Sequence, residues 1–118
     1  MEYLFIEYPK CSTCQKAKKW LEGKKVPFQS RHILESTPSA EELSKWQKQS
    51  GLPLQKFFNT SSLRYRALNL KATLPSMAEK DQLALLASDG MLIKRPLLIS
   101  NDLVLLGFRE KEWAEKVQ

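Results

Sequence analysis

Two cysteines three residues apart, Cys11 and Cys14, are the residues of this chain best suited to chemistry. Residues 3–8 before them are apolar and aromatic, which is typical of a buried strand, and residues 15–22 have helical spacing. Cys11 is therefore expected where a strand ends and a helix begins, beside free backbone N–H groups and the positive end of the helix dipole. Because such a position favours a thiolate, we predict a lowered pKa for Cys11.

Cys14 is expected one turn inside the same helix, on a face shared with Ala17 and Leu21. From there it can reach Cys11, so the pair is able to form and release a disulfide. Cys11 should be the more exposed and more acidic thiol. A structural zinc site needs four ligands, and His32 is the only histidine, so we expect no metal unless a zinc ion is shared across a dimer.

The length and composition indicate a soluble globular protein. A chain of 118 residues can bury a core without disulfide staples, so we expect one domain over 1–118. No apolar run approaches the roughly 20 residues of a membrane helix, and Glu2 and Glu7 interrupt the apolar N-terminal stretch. The two closely spaced cysteines do not form a secreted disulfide framework, so the expected location is cytoplasmic, without membrane contact.

The excess of positive charge permits an anionic partner. The formal net charge is +6, but no RNA-binding aromatic motif or zinc finger is present, so direct nucleic-acid binding is not expected. Lysines surround the predicted first helix, and two interpretations stay open. They form a solvated helix face, or their field holds Cys11 as thiolate or attracts an acidic partner. These lysines are Lys16, Lys18, Lys19, Lys24 and Lys25.

The first 33 residues follow the pattern of a βαβ unit. Residues 27–33 form a second predicted strand, which should run parallel to the first. Residues 35–90 are predicted to be all-helical, with one capping box at Ser39 and Glu42 and another at Ser76 and Glu79.

The C-terminal part should complete the sheet. Apolar runs at 93–100 and 103–107, joined by Asn101 and Asp102, predict an antiparallel hairpin, followed by a helix over 110–117. The predicted fold is α/β, a thioredoxin-like mixed four-stranded sheet in the order βαβ…ββα, with an all-helical insertion between strands 2 and 3.

Four segments in this order resemble the arsenate reductase-like family of the thioredoxin superfamily, which includes ArsC, Spx and YffB types. These segments are YPKCSTCQKA at 8–17, FNTSSLRYR at 58–66, KRPLL at 94–98 and LGFREKEW at 106–113. The resemblance implies a cis peptide bond between Arg95 and Pro96 at the start of a strand that faces the active cysteine. It also implies that Arg95 supplies positive charge near the Cys11 sulfur and that Ser12, Thr13 and Pro96 line the site.

Arsenate reductases of this family hold the oxyanion with three arginines around one cysteine. The resemblance places Cys11 at that cysteine and Arg95 at one arginine, whereas the other two positions hold Asn59 and Phe108. Because two of the three oxyanion-binding arginines are missing, arsenate reduction is not the favoured activity. Arginines that lie close in sequence but offset are Arg64, Arg66 and Arg109.

Three functions follow from the resemblance. The favoured one is a thiol–disulfide redox protein with Cys11 as nucleophile and Cys14 as resolving cysteine. It needs no bound cofactor, and glutathione, a glutaredoxin or a thioredoxin would supply electrons. The second is a Spx-like redox-sensing regulator that binds the RNA polymerase α subunit, although Spx-type regulators usually continue beyond the last helix and this sequence ends at Gln118. The third is a glutaredoxin-coupled arsenate reductase.

Overall fold

The computed structural model describes residues 2–117. They divide into two compact units, one formed by the residues up to His32 together with those from Arg95 onward, and the other by Ile33–Lys94. The first unit contains the sheet, and the second contains the helices that connect strands 2 and 3. No helix within residues 2–117 is long and apolar enough to cross a membrane.

The sheet is mixed and four-stranded, with the order β2-β1-β3-β4. Strands β1 and β2 are parallel, with Tyr3 opposite Phe28, which confirms the predicted βαβ unit. Strand β3 runs antiparallel to both β1 and β4, which confirms the predicted hairpin. The strands are β1 (Tyr3–Glu7), β2 (Phe28–His32), β3 (Leu97–Ile99) and β4 (Val104–Leu106).

Helices α1 (Ser12–Gly23) and α6 (Glu110–Lys116) belong to the same unit as the sheet. The core of this unit centres on Trp113, which is fully buried and whose indole N–H donates to the Gly107 carbonyl at 3.2 Å. The rings of Trp20 and Phe108 pack edge-on against Trp113, with centroids 5.9 and 4.8 Å away. Each such pair contributes about 0.5–1.5 kcal/mol beyond its buried area, so α1 is firmly anchored.

The apolar face of α1 is the one that its sequence predicts. Cys14, Ala17 and Leu21 are all fully buried. Their spacing of three and four residues keeps them in one line on a helix of 3.6 residues per turn. The packing of this line fixes the rotation of α1 about its axis, and therefore the direction of the side chains in its first turn.

The second unit is helical. Its first helix opens with the predicted capping box, in which the Glu42 N–H donates to Ser39 Oγ at 3.1 Å and the Ser39 N–H donates to Glu42 Oε1 at 3.0 Å. Gly51 ends that helix with a left-handed φ of 71°. The helices are α2 (Ala40–Ser50), α3 (Leu63–Ala67), α4 (Leu70–Thr73) and α5 (Glu79–Ser88), with 3₁₀ turns at Leu54–Phe57, Leu74–Ser76 and Gly90–Leu92.

The second predicted capping box is wrong. Helix α5 begins at Glu79 with Ala78 as its N-cap, so Ser76 lies too far upstream to cap it. Ser76 instead closes the preceding 3₁₀ turn, where its hydroxyl donates to the Thr73 carbonyl at 3.0 Å. The same unit contains an isolated β-bridge between Phe58 and Ile93 that the helical prediction omits.

Candidate active site

The turn between β1 and α1 places Cys11 at the start of the helix. The Cys11 N–H donates to the Tyr8 carbonyl at 2.9 Å, and the Cys11 carbonyl accepts the first helical hydrogen bond from Gln15 at 3.0 Å. The Gln15 side chain also donates to the Pro9 carbonyl at 2.8 Å, which ties the loop to the helix. Cys11 is therefore the N-cap residue of α1, with extended backbone angles, at the position that the sequence predicts.

The surroundings of Cys11 stabilise its thiolate. Its side chain is half-buried, and this burial by itself would raise the pKa. Hydrogen bonding from the Cys14 backbone N–H, the Cys14 thiol and the Thr13 N–H outweighs burial, together with the positive charge of Arg95, so the pKa of Cys11 is lowered. These N–H groups belong to the first turn of α1, where the Cys11 side chain makes no regular capping hydrogen bond. The favourable electrostatics of a helix N-terminus are nevertheless present.

Cys14 has the opposite character. It is completely buried, and burial is the main reason that its pKa is raised to about 12. The neighbouring Cys11 raises this pKa further, because the Cys14 thiol donates to the Cys11 sulfur and a second thiolate beside the first would be repelled. The Tyr8 backbone and Arg95 act in the other direction and are outweighed. At neutral pH the pair is therefore a half-buried thiol with a lowered pKa beside a fully buried, protonated thiol.

Arg95 lies close enough to the two cysteines to lower the pKa of each. Its guanidinium carbon lies 5.2 Å from the centre of the Tyr8 ring. The Arg95–Pro96 bond is cis, as the resemblance implied, and Pro96 is buried directly before β3. The Pro96 carbonyl accepts a hydrogen bond from the Gly107 N–H at 2.8 Å, which holds this end of the hairpin.

Ser12 and Thr13 are exposed in the first turn of α1. Only Thr13 has a resolved effect on the cysteines, through its backbone N–H. Sequence reasoning assigned no role to Tyr8, although the structure gives it three contacts with the site: its carbonyl holds Cys11, its backbone faces Cys14 and its ring faces Arg95. The sequence feature that could have pointed to Tyr8 is its position, since it is an aromatic residue between β1 and Pro9. His32, in β2, packs edge-on to the same ring at 6.1 Å.

The residues at the other two expected oxyanion positions have structural contacts of their own. Phe108 packs on Trp113 in the core of the first unit, so an aromatic ring occupies the position where a guanidinium would be needed. Asn59, in the second unit, accepts a hydrogen bond from the Ser61 N–H at 3.2 Å. Arg64 makes an ion pair with Asp89 at 3.7 Å. Within residues 2–117, no group of three or more His, Cys, Asp or Glu side chains is arranged to hold a metal ion.

Two curated proteins of Bacillus subtilis are similar to this chain over most of its length. The uncharacterised protein YusI is 54% identical over 98% of this chain and 98% of its own. The regulatory protein MgsR is 31% identical over 92% of this chain and 84% of its own.

Solved structures agree with the fold. A crystal structure of an ArsC family related protein from Bacteroides fragilis has a TM-score of 0.93 and 50% identity, covering 98% of this chain and 97% of that one. An arsenate reductase from Vibrio cholerae has a TM-score of 0.86 and 27% identity, covering 98% and 97%. The ArsC family model matches residues 6–116. This chain, with its thioredoxin-like mixed sheet and Cys-Ser-Thr-Cys turn, belongs to the ArsC family.

Proposed function

We propose that this protein is a thiol–disulfide redox protein in which Cys11 is the nucleophile and Cys14 the resolving cysteine. The observation that carries the proposal is the contrast between the two thiols. Cys11 is accessible and has a lowered pKa, whereas Cys14 is buried, hydrogen-bonded to Cys11 and has a pKa raised to about 12. Nucleophilic attack needs a thiolate, so the two positions suit the two successive roles of a dithiol mechanism.

The first step is attack of the Cys11 thiolate on one sulfur of a substrate disulfide, R–S–S–R′. A bond forms between Cys11 Sγ and the sulfur of R, and R′S⁻ leaves. Once Cys11 is bonded to R, the Cys11 thiolate that helps to raise the pKa of Cys14 is gone. Cys14 gives up its thiol proton as it attacks Cys11 Sγ, the mixed disulfide breaks, and the leaving group takes a proton and departs as RSH. The pair loses two electrons and ends as a Cys11–Cys14 disulfide, and the substrate disulfide gains them.

The cycle closes when a thiol donor reduces the Cys11–Cys14 disulfide. Two glutathione molecules or one dithiol protein of the glutaredoxin or thioredoxin class supply the two electrons. The same chemistry accepts a sulfenic acid as substrate, in which case Cys11 attacks the sulfur and hydroxide leaves as water after protonation. No bound cofactor takes part in this mechanism.

Arg95 adds a fixed positive charge to the hydrogen bonds from Cys14 and Thr13 that lower the pKa of Cys11, and the cation lies over the Tyr8 ring. Ser12 and Thr13 form the exposed first turn against which the substrate would lie, and Pro96 shapes the segment that carries Arg95. In this mechanism the positive charge comes from the segment before β3, and the contacts with the substrate come from the first turn of α1.

Trapping the mixed disulfide tests the proposal. The Cys14→Ser variant, incubated with glutathione disulfide, should accumulate one glutathione on Cys11, because the resolving thiol is gone. Wild-type protein should pass on to the internal disulfide, and Cys11→Ser should take up no glutathione. Intact-mass and peptide mass spectrometry distinguish these species. Glutathionylation of Cys14 in Cys11→Ser at the wild-type rate would show that the roles are assigned incorrectly.

A redox-sensing regulator is the second candidate, and the similarity to the regulatory protein MgsR favours it. In this case the Cys11–Cys14 pair would change affinity for a protein partner without turnover, and the resemblance implies the RNA polymerase α subunit. Binding of purified α subunit to oxidised and reduced protein, with Cys14→Ser as the matched control, separates the two functions. Redox-dependent binding without disulfide turnover would favour the regulator.

A further inference from the structure

The solvent face of α1 carries a line of lysines that starts at the active cysteine. Ser12, Lys16 and Lys19 are separated by four and three residues, and all three are exposed. This spacing puts them on one side of the helix, opposite the buried face formed by Cys14, Ala17 and Leu21. Lys10, directly before Cys11, is also exposed. We define Lys10, Lys16 and Lys19 as the lysine line.

The charge of the lysine line is not neutralised within the described part of the chain. Lys18 makes an ion pair with the buried Glu7 at 3.1 Å, and Lys24 lies over the Trp20 ring at 5.9 Å, but neither contact involves the line itself. Residues 10–25 contain six lysines and one acidic residue, Glu22. Since the helix dipole adds further positive potential at Cys11, the field near the thiolate attracts anions.

The length of the line indicates the size of its partner. At about 1.5 Å of rise per residue, Lys19 lies about 12 Å along the helix axis from Cys11. An extended tripeptide such as glutathione spans about 10 Å from end to end, which is shorter than the line, so with its sulfur at Cys11 it covers only part of the line. Because the Debye length is about 8 Å at physiological salt, a charge on the partner must lie close to each lysine to be attracted by it. The line therefore suits a larger anionic surface that carries its reactive sulfur at one edge.

We propose that the lysine line docks an acidic protein substrate and steers its disulfide to Cys11. The partner carries several Asp or Glu side chains within about 12 Å of the reactive sulfur, so that they meet Lys10, Lys16 and Lys19. This inference rests on the proposed redox function and names its substrate class. Because the lysines are exposed, they act mainly on the rate of encounter, so the effect should weaken with salt.

Matched peptide disulfides test the proposal. Each 12-residue probe has one cysteine joined to thionitrobenzoate, with three Glu, Gln or Lys residues placed two to four positions from the cysteine. Attack by reduced wild-type protein releases coloured thionitrobenzoate. At low salt the Glu peptide should react about tenfold faster than the Gln peptide, and the Lys peptide more slowly than either. In about 0.5 M salt the difference should fall below about twofold.

Two charge-reversal variants locate the effect. Lys16→Glu/Lys19→Glu should abolish or invert the preference for the Glu peptide. Lys45→Glu/Lys48→Glu changes net charge equally on exposed positions of α2 and should keep the preference. Rates with the neutral bis(2-hydroxyethyl) disulfide correct for any change in the intrinsic reactivity of Cys11. Circular dichroism confirms that both variants are folded before their rates are compared.

Several outcomes would contradict the docking proposal while leaving the redox function intact. Equal rates for the Glu and Gln peptides would do so, provided the neutral disulfide reacts. If glutathionyl thionitrobenzoate reacts faster than the neutral disulfide by as large a factor as the Glu peptide does over the Gln peptide, the lysines act on small anions. A further outcome is that a 20-nucleotide DNA slows the reaction of Cys11 in the wild type but not in Lys16→Glu/Lys19→Glu. Together with equal rates for the peptides, this result would assign the lysines to nucleic acid. Failure of Cys11 to react even with the neutral disulfide would instead overturn the redox function.

Discussion

The guanidinium carbon of Arg95 lies 5.2 Å from the centre of the Tyr8 ring. The face of an aromatic ring is electron-rich, so this contact favours the cation where it is. The same Tyr8 accepts the Cys11 N–H through its carbonyl at 2.9 Å. Tyr8 thus contacts both Cys11 and Arg95, which couples the Arg95 segment to the loop before Cys11.

Removal of the Arg95 charge should raise the pKa of Cys11. The guanidinium favours the thiolate over the thiol, so Arg95→Ala should move the midpoint of the pH profile for Cys11 alkylation to higher pH. Arg95→Lys should recover part of the shift, because it keeps the charge but not the planar group over Tyr8. Arg109→Ala, at the exposed N-cap of α6, is the matched control. Identical profiles for Arg95→Ala and wild type would show that Arg95 does not act on Cys11.

The two thiols should be alkylated in a fixed order. A lowered pKa means that Cys11 holds more thiolate than an ordinary cysteine at mildly acidic pH, whereas Cys14, with a pKa near 12 and no exposed surface, remains a thiol. Iodoacetamide at about pH 6 should therefore label Cys11 first in reduced protein. Peptide mapping at short times measures the order, with Cys11→Ser showing the residual rate at Cys14. Faster labelling of Cys14 in the wild type would reverse the proposed roles.

Arsenate reduction coupled to glutaredoxin should be weak or absent. Arg95 is available to bind the oxyanion, but Asn59 and Phe108 occupy the other two positions where arginines are expected. Phe108 packs on Trp113 in the aromatic core. Expression at ordinary levels should not rescue an arsenate-sensitive bacterial strain, whereas a functional arsenate reductase should. Rescue that depends on Cys11 would contradict this prediction and favour the third function.

Two glycine substitutions should change the free energy of unfolding in opposite directions. A Cβ at Gly90 would meet the backbone carbonyl of Ile33, whose carbon would be 3.0 Å away, so Gly90→Ala should cost about 1–3 kcal/mol or more. A Cβ at Gly23, the last residue of α1, meets nothing within 4 Å, so Gly23→Ala should stabilise by up to about 1 kcal/mol. Urea unfolding followed by circular dichroism measures both. Equal midpoints for Gly90→Ala and wild type would refute the close approach.

Local patterns in the sequence predicted most of the elements. The apolar run before Cys11 and the helical spacing after it predicted a strand, a turn and a helix at the right positions, because such preferences act over a few neighbouring residues. Ser39 and Glu42 predicted a helix start correctly for the same reason. Ser76 and Glu79 have the same spacing and failed, because Ser76 belongs to the preceding 3₁₀ turn and α5 begins after Ala78, which is its N-cap. The spacing of two residues does not specify where the helix starts.

The sequence by itself determined the pair of cysteines, their place at a helix start and the family. Only the tertiary structure decided how different the two thiols are, because the raised pKa of Cys14 comes chiefly from burial. It also brought Arg95 close to Cys11, 84 positions earlier in the chain, and placed Tyr8 in contact with both residues. These relationships depend on the pairing of β1 with β3, which no short-range pattern around Cys11 specifies. Sequence therefore supplies the reactive groups, and long-range packing sets their protonation states.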